Sequence, residues 1–157
     1  MTQTLITIWF ALGRLPFVSY RILATLISAS LTLLILVFAR ERRMVALTNL
    51  SLCFPESSIG QRLYWAVAHI YFYLRTFLDR AWLWAGNEAV VRDRVHIENP
   101  EALHALANGS ATIFLAPHFL GLDAAWSRLC LEVDMVTMYS NQKNPVLNEL
   151  ILQGRSN

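Results

Sequence analysis

Charge is scarce in this chain, at 15% of 157 residues, and lysine is nearly absent: twelve of the thirteen cations are arginine, with Lys143 the exception. A net charge of +2 is too mild a balance to mark a nucleic-acid binder. Arginine's planar fork suits carboxylate and phosphate partners. Cysteine is equally sparse: Cys53 and Cys130 form no CxxC pair, so neither a zinc site nor a disulfide framework is indicated. Both are expected to be buried thiols. There is no glycine-rich phosphate loop, no nucleophilic Ser or Cys arrangement, no metal-ligand cluster, no internal repeat and no low-complexity stretch. No cofactor or metal is expected from these residues.

What the chain has in excess is apolar surface. Its hydrophobic fraction is 55% and its mean hydropathy +0.41, above the usual range of a soluble domain. Residues 22–39, "ILATLISASLTLLILVFA", run without a charge between Arg21 and Arg40. A helix of that length reaches roughly 27 Å, close to the roughly 30 Å hydrocarbon core. Arg40, Arg42 and Arg43 outnumber Arg14 and Arg21, which puts the bulk of the chain on the cytoplasmic side. A secretory signal fits poorly because the run starts late and no small-residue cleavage pattern closes it. Thr25, Ser28 and Thr32 share one face, so packing against the chain's own domain is the alternative.

"TNLSLCFPESS", residues 48–58, reads as a loop, and Ser58-x-x-Gln61 has capping-box spacing. A helix over residues 59–85 follows, carrying eight of the eighteen aromatics. Arg75, Asp79 and Arg80 interrupt it and make a second span expensive. It reads either as an interfacial helix, with Trp and Tyr at headgroup level, or as a core helix. Beyond Gly86 the elements shorten. "VHIE" (95–98), "ATIFLA" (111–116) and "VDMVTMY" (133–139) read as strands. Helices are expected between and after them: one entered through Asn99-Pro100 and ending at Asn108-Gly109, one over 122–132, one over 145–153. The expected fold class is therefore α/β: an N-terminal membrane helix and an aromatic interfacial helix, then a partial parallel β-α-β-α-β-α sheet. Three strands do not complete such a sheet, so a truncated protein is expected.

The candidate site is "FLAPHFLGLD", where His118 lies two residues past the expected central strand, the usual place for a ligand in open sheets. An imidazole held by a carboxylate can remove a proton from a hydroxyl, and Asp123 is positioned in sequence to be that carboxylate. Along a regular helix five residues leave side chains about 140° apart. The two meet only if "FLGL" is a loop or a tight turn, which Gly121 would ease. The other interpretation makes Asp123 an N-cap and His118 a turn residue. His69, His96 and His104 read as structural or solvated.

His118-x4-Asp123 after an apolar run resembles the HX4D motif of the glycerolipid and lysophospholipid acyltransferase superfamily. With "NLSLCFPES" (49–57), the aromatic helix and "MYSNQKNPVLNELILQGR" (138–155), the chain resembles the bacterial lipid A biosynthesis (late) acyltransferases. The resemblance spans nearly all of the chain but only about the N-terminal half of a family member. It implies an inner-membrane enzyme with its catalytic part facing the cytoplasm. The acyl donor would be an acyl carrier protein thioester, and the acceptor a hydroxyl of a lipid A precursor or similar glycolipid. In that reading His118 is the general base, Asp123 its partner, and no covalent acyl-enzyme forms. Arg155 falls on the family's motif arginine, a substrate-binding candidate for phosphate or carrier contact; alternatively it is an exposed cation at a helix end. Domains follow as 1–43 (membrane anchor), 44–86 (loop and aromatic helix) and 87–157 (incomplete acyltransferase domain). One departure is "FLGLD" where this branch often carries Gly-Asn-Trp-Glu; Asp for Glu keeps the carboxylate but leaves the acceptor lipid open. The alternatives are a truncated, inactive, membrane-associated fragment, or an acyltransferase acting on another membrane lipid.

Overall fold

The computed structural model describes residues 3–85, 88–104 and 111–156, with all of their side chains but those of Gln3, His104, Arg155 and Ser156. Among the described residues there are eight helices and no strand. They fall into two compact units, one of residues Pro16–Leu78 and one of Met1–Leu15 with Asp79–Asn157.

The Pro16–Leu78 unit begins with α2 (Phe17–Phe38), which follows α1 (Gln3–Gly13) of the other unit. Its most apolar 18-residue window has a mean hydropathy of 2.2, yet only 17% of that window is buried. The buried positions are Tyr20, Ala24, Ser28 and Thr32, a stripe with a four-residue step. Thr32 Oγ1 donates to the Ser28 carbonyl at 2.7 Å, so its hydroxyl costs little inside the contact. Arg75 of α4 (Ile59–Ala85) donates to Thr25 Oγ1 at 3.0 Å and lies 5.5 Å from the Tyr20 ring centroid. The apolar side chains point away from the stripe: Leu26 is 59% exposed, Leu33 65% and Val37 67%. By length and composition α2 is long and apolar enough to cross a membrane, while its buried stripe packs against the rest of its unit.

Ala39, at φ −96° and ψ 62°, breaks the helix before α3 (Arg40–Cys53) begins. Arg43 Nη1 donates to the Leu36 carbonyl, covering one of the acceptors that a helix end leaves open. α3 was not foreseen. The segment 48–58 is helical through Cys53, and the loop shrinks to residues 54–58. That loop is pinned from α4: Arg62 donates to Ser57 Oγ (3.0 Å) and the Pro55 carbonyl (2.7 Å), and Phe54 stacks tilted on Trp65 at 5.1 Å. The capping box forms as its spacing predicts, with Ser58 N–H donating to Gln61 Oε1 (2.8 Å) and Gln61 N–H to Ser58 Oγ (3.2 Å).

In the other unit the last turn of α4 is core, with Ala81, Trp82, Leu83 and Trp84 all buried. α1 reaches it through Gly13, where a Cβ would meet the Ala81 carbonyl and come within 2.6 Å of the Trp82 nitrogen. Trp9 meets Trp84 edge-on at 5.7 Å. α8 (Pro145–Ser156) reaches the same turn through Gly154 against Trp84. The start of α8 is capped by Asn144 Oδ1, which accepts from Val146 and Leu147 N–H at 3.0 and 3.1 Å. Between them lie α5 (Glu88–Arg94), α6 (Glu101–His104) and α7 (Leu122–Cys130). α5 and α7 are joined by Glu132, which accepts from both Arg92 and Arg128. The expected end of the α6 helix at Asn108-Gly109 lies outside the described residues. α1 and α5 were not foreseen.

The α/β expectation is overturned: among the described residues 95–98, 111–116 and 133–139 form no sheet. Ile113 and Leu115 are each 96% exposed and Val136 99%. An apolar, β-prone run sets only an extended backbone; the ladder that makes it a strand comes from a neighbour's N–H and C=O groups. The thiol expectation is corrected too, since Cys53 and Cys130 are exposed. Cys53 ends α3, a helix with no buried residue, so nothing covers it.

Candidate functional site

His118 sits at the end of the exposed segment 111–119, before α7. The chain then bends: Phe119 N–H donates to the Pro117 carbonyl (3.0 Å) and Leu122 N–H to that of Phe119 (3.2 Å). This is a turn, so the 140° separation of a regular helix does not apply between His118 and Asp123. Gly121 takes φ −82° and ψ 4°, values open to any residue. A Cβ there would meet nothing closer than 3.9 Å, so the turn does not depend on glycine.

Asp123 is the second residue of α7, while Gly121 holds the N-cap position. The N-cap alternative is thus not adopted. A carboxylate in the first turn is favoured there by the helix dipole. Its Oδ2 accepts from Arg80 Nε of α4 at 2.5 Å, with the two side chains 17% and 29% exposed. The Arg80 guanidinium also lies 5.9 Å from the Trp84 ring centroid. A part-buried, charge-assisted contact of this kind holds the plane of the carboxylate.

The imidazole of His118 is exposed and, among the described residues, makes no hydrogen bond or ion pair. The turn therefore puts His118 and Asp123 at its two ends, and the carboxylate is engaged from α4. Arg155 lies in the last turn of α8, but its side chain is outside the described residues. His69 and His96 are exposed. Among the described residues no group of three or more His, Cys, Asp or Glu is disposed to hold a metal ion. A groove of about 750 Å³ between α1 and α8, lined in part by Phe10, Arg14, Glu149 and Leu150, does not include His118 or Asp123.

Arg80 is the residue that sequence reasoning missed. It entered only as a charge that makes membrane crossing expensive for an aromatic helix. The available signal was the oddity itself: a cation in the apolar half of α4, next to Ala81–Trp84, needs a polar partner.

A sequence model of one family, described as bacterial lipid A biosynthesis acyltransferase, matches residues 2–157. No curated protein and no solved structure matches the chain.

Proposed function

Since the chain belongs to the bacterial lipid A biosynthesis acyltransferase family, we propose that it moves a fatty acyl chain from an acyl carrier protein thioester to a hydroxyl of a lipid A precursor. The family match over residues 2–157 carries this reading. The His118-x4-Asp123 spacing within it supplies the chemistry. His118 takes the proton of the acceptor hydroxyl as that oxygen attacks the thioester carbonyl carbon. The C–S bond breaks, the ester C–O bond remains, and the imidazolium returns its proton to the departing sulfur. Asp123 holds the second imidazole nitrogen in its N–H form and stabilises the cation that forms. The exposed, turn-borne position of His118 supports access for two substrates, which then exclude water from the reaction. Arg155 contributes a cation toward a phosphate of the acceptor or toward the carrier.

Membrane placement rests on α2, whose apolar side chains are mostly exposed over a length sufficient to span. Arg40, Arg42 and Arg43 beyond it orient the remainder toward the cytoplasm at the bacterial inner membrane. A second reading, a membrane-bound chain without transfer activity, is favoured by the exposure of Ile113 and Leu115 in the segment that carries His118.

The test is acyl transfer from a carrier-protein thioester by the chain in its membrane, with His118→Ala alongside. Turnover by the wild type, reduced about 10³-fold or more in the variant, supports the first reading. Equal turnover by both chains sinks the His118 mechanism. No turnover by the wild type favours the second reading.

A further inference from the structure

We propose that Arg80 is a positioning residue for the His118–Asp123 pair, acting on the imidazole through the carboxylate; this rests on the transferase reading above. Three observations converge. Arg80 Nε donates to Asp123 Oδ2 at 2.5 Å, joining α4 to the first turn of α7 across 43 residues of sequence. Arg80 is followed directly along α4 by the buried residues Ala81, Trp82, Leu83 and Trp84. Its guanidinium is held over the Trp84 ring, at 5.9 Å from the centroid. The neighbouring carboxylate on α4, Asp79, accepts from Trp82 Nε1 at 3.1 Å.

The consequence is geometric. A carboxylate has two oxygens and about four acceptor sites, so one arginine donor on Oδ2 does not by itself fill it. By fixing the plane of the carboxylate, Arg80 sets the direction from which an imidazole N–H is received. His118 itself lies on an exposed segment. The rigid part of the pair is therefore Asp123, and Arg80 makes it rigid. Arg80 touches neither substrate nor the reacting atoms in this scheme.

The experiment uses the full chain in its membrane, with a carrier-protein thioester as donor and a lipid A precursor as acceptor. Arg80→Ala should lower kcat about 10- to 100-fold, as loss of an outer orienting partner does, with KM for both substrates within about twofold. Arg80→Lys should recover only part of the loss, because an ammonium neither forks nor stacks. Millimolar guanidinium should restore turnover to Arg80→Ala but not to Asp123→Ala, since the small cation refills the vacated place only where the carboxylate remains. A kcat for Arg80→Ala equal to wild type overturns the proposal. So does a loss that guanidinium does not rescue and that tracks a fall in thermal midpoint, the pattern of a purely structural ion pair. If His118→Ala retains turnover, the transferase mechanism fails; if His118→Ala is dead while Arg80→Ala is fully active, only the role of Arg80 fails. A wild-type chain without transfer overturns both.

Discussion

Placing aspartate on the outward face of α2 separates a lipid-embedded helix from one that merely lies on a wet surface. α2 carries thirteen Leu, Ile, Val and Phe residues. At about 0.3–0.6 kcal/mol each, they favour insertion by roughly 4–8 kcal/mol, before the opposing contributions of Arg21 and the five Ser and Thr residues. Leu26 and Leu33 are 59% and 65% exposed and lie off the buried stripe of Tyr20, Ala24, Ser28 and Thr32, so neither substitution disturbs internal packing. One aspartate near the middle of a span costs about 2.5–3.5 kcal/mol. Leu26→Asp should therefore lower the carbonate-resistant membrane fraction, and the Leu26→Asp/Leu33→Asp double variant, at about 5–7 kcal/mol, should empty it. Were α2 facing water, the same exposed substitutions would change stability by only about 0.5 kcal/mol. A double variant that stays carbonate-resistant at the wild-type level refutes a lipid-facing α2.

Two glycines give a contrast of sign. Gly13→Ala drives a methyl into the backbone of Ala81 and Trp82 and should destabilise by about 1–3 kcal/mol. Gly60→Ala, in the first turn of α4 with only Ser58 Oγ at 3.9 Å, should stabilise by about 0.5–1 kcal/mol. Thermal midpoints in detergent check both, and a Gly13→Ala midpoint at or above wild type contradicts the close α1–α4 approach. Glu132 is held below the ordinary glutamate range, first by the hydrogen bond from Arg128 and then by that from Arg92. A depressed carboxyl adds stability above its unfolded pKa and loses it as pH falls through the folded one. The protection factors of amides in α5 and α7, corrected for the intrinsic pH dependence of exchange, should therefore fall as pH drops from neutral to values below the usual glutamate range. Glu132→Gln should remove that acid-dependent component; identical acid responses in the two proteins would rule the linkage out.

Much of the helical half was legible because its signals are local. The Ser58/Gln61 capping box, the uncharged run of α2 and the start of α8 at Pro145 each rest on residues within a few positions of one another, and all three form as those local signals suggest. α3 was obscured by Pro55, which breaks the helix only after Cys53; the segment ahead of it reads as polar loop but continues as helix. The pattern at 111–116 and 133–139 failed for another reason. Val, Ile and Thr in a short run favour extended backbone, but sheet formation is a property of two chains of atoms, and no local pattern supplies the second.

At the site the division is the same. The residues His118 and Asp123, their spacing, and the family they indicate are properties of the chain written as a line, as is the presence of enough apolar length to cross a bilayer. That Asp123 lies inside the first turn of α7 rather than capping it depends on where the preceding turn closes. That its carboxylate meets Arg80 depends on a helix 43 residues earlier being anchored by Ala81–Trp84. Ion pairing falls off within ångströms and takes no account of sequence distance, so the residue that holds the aspartate became visible only once α4 and α7 had packed.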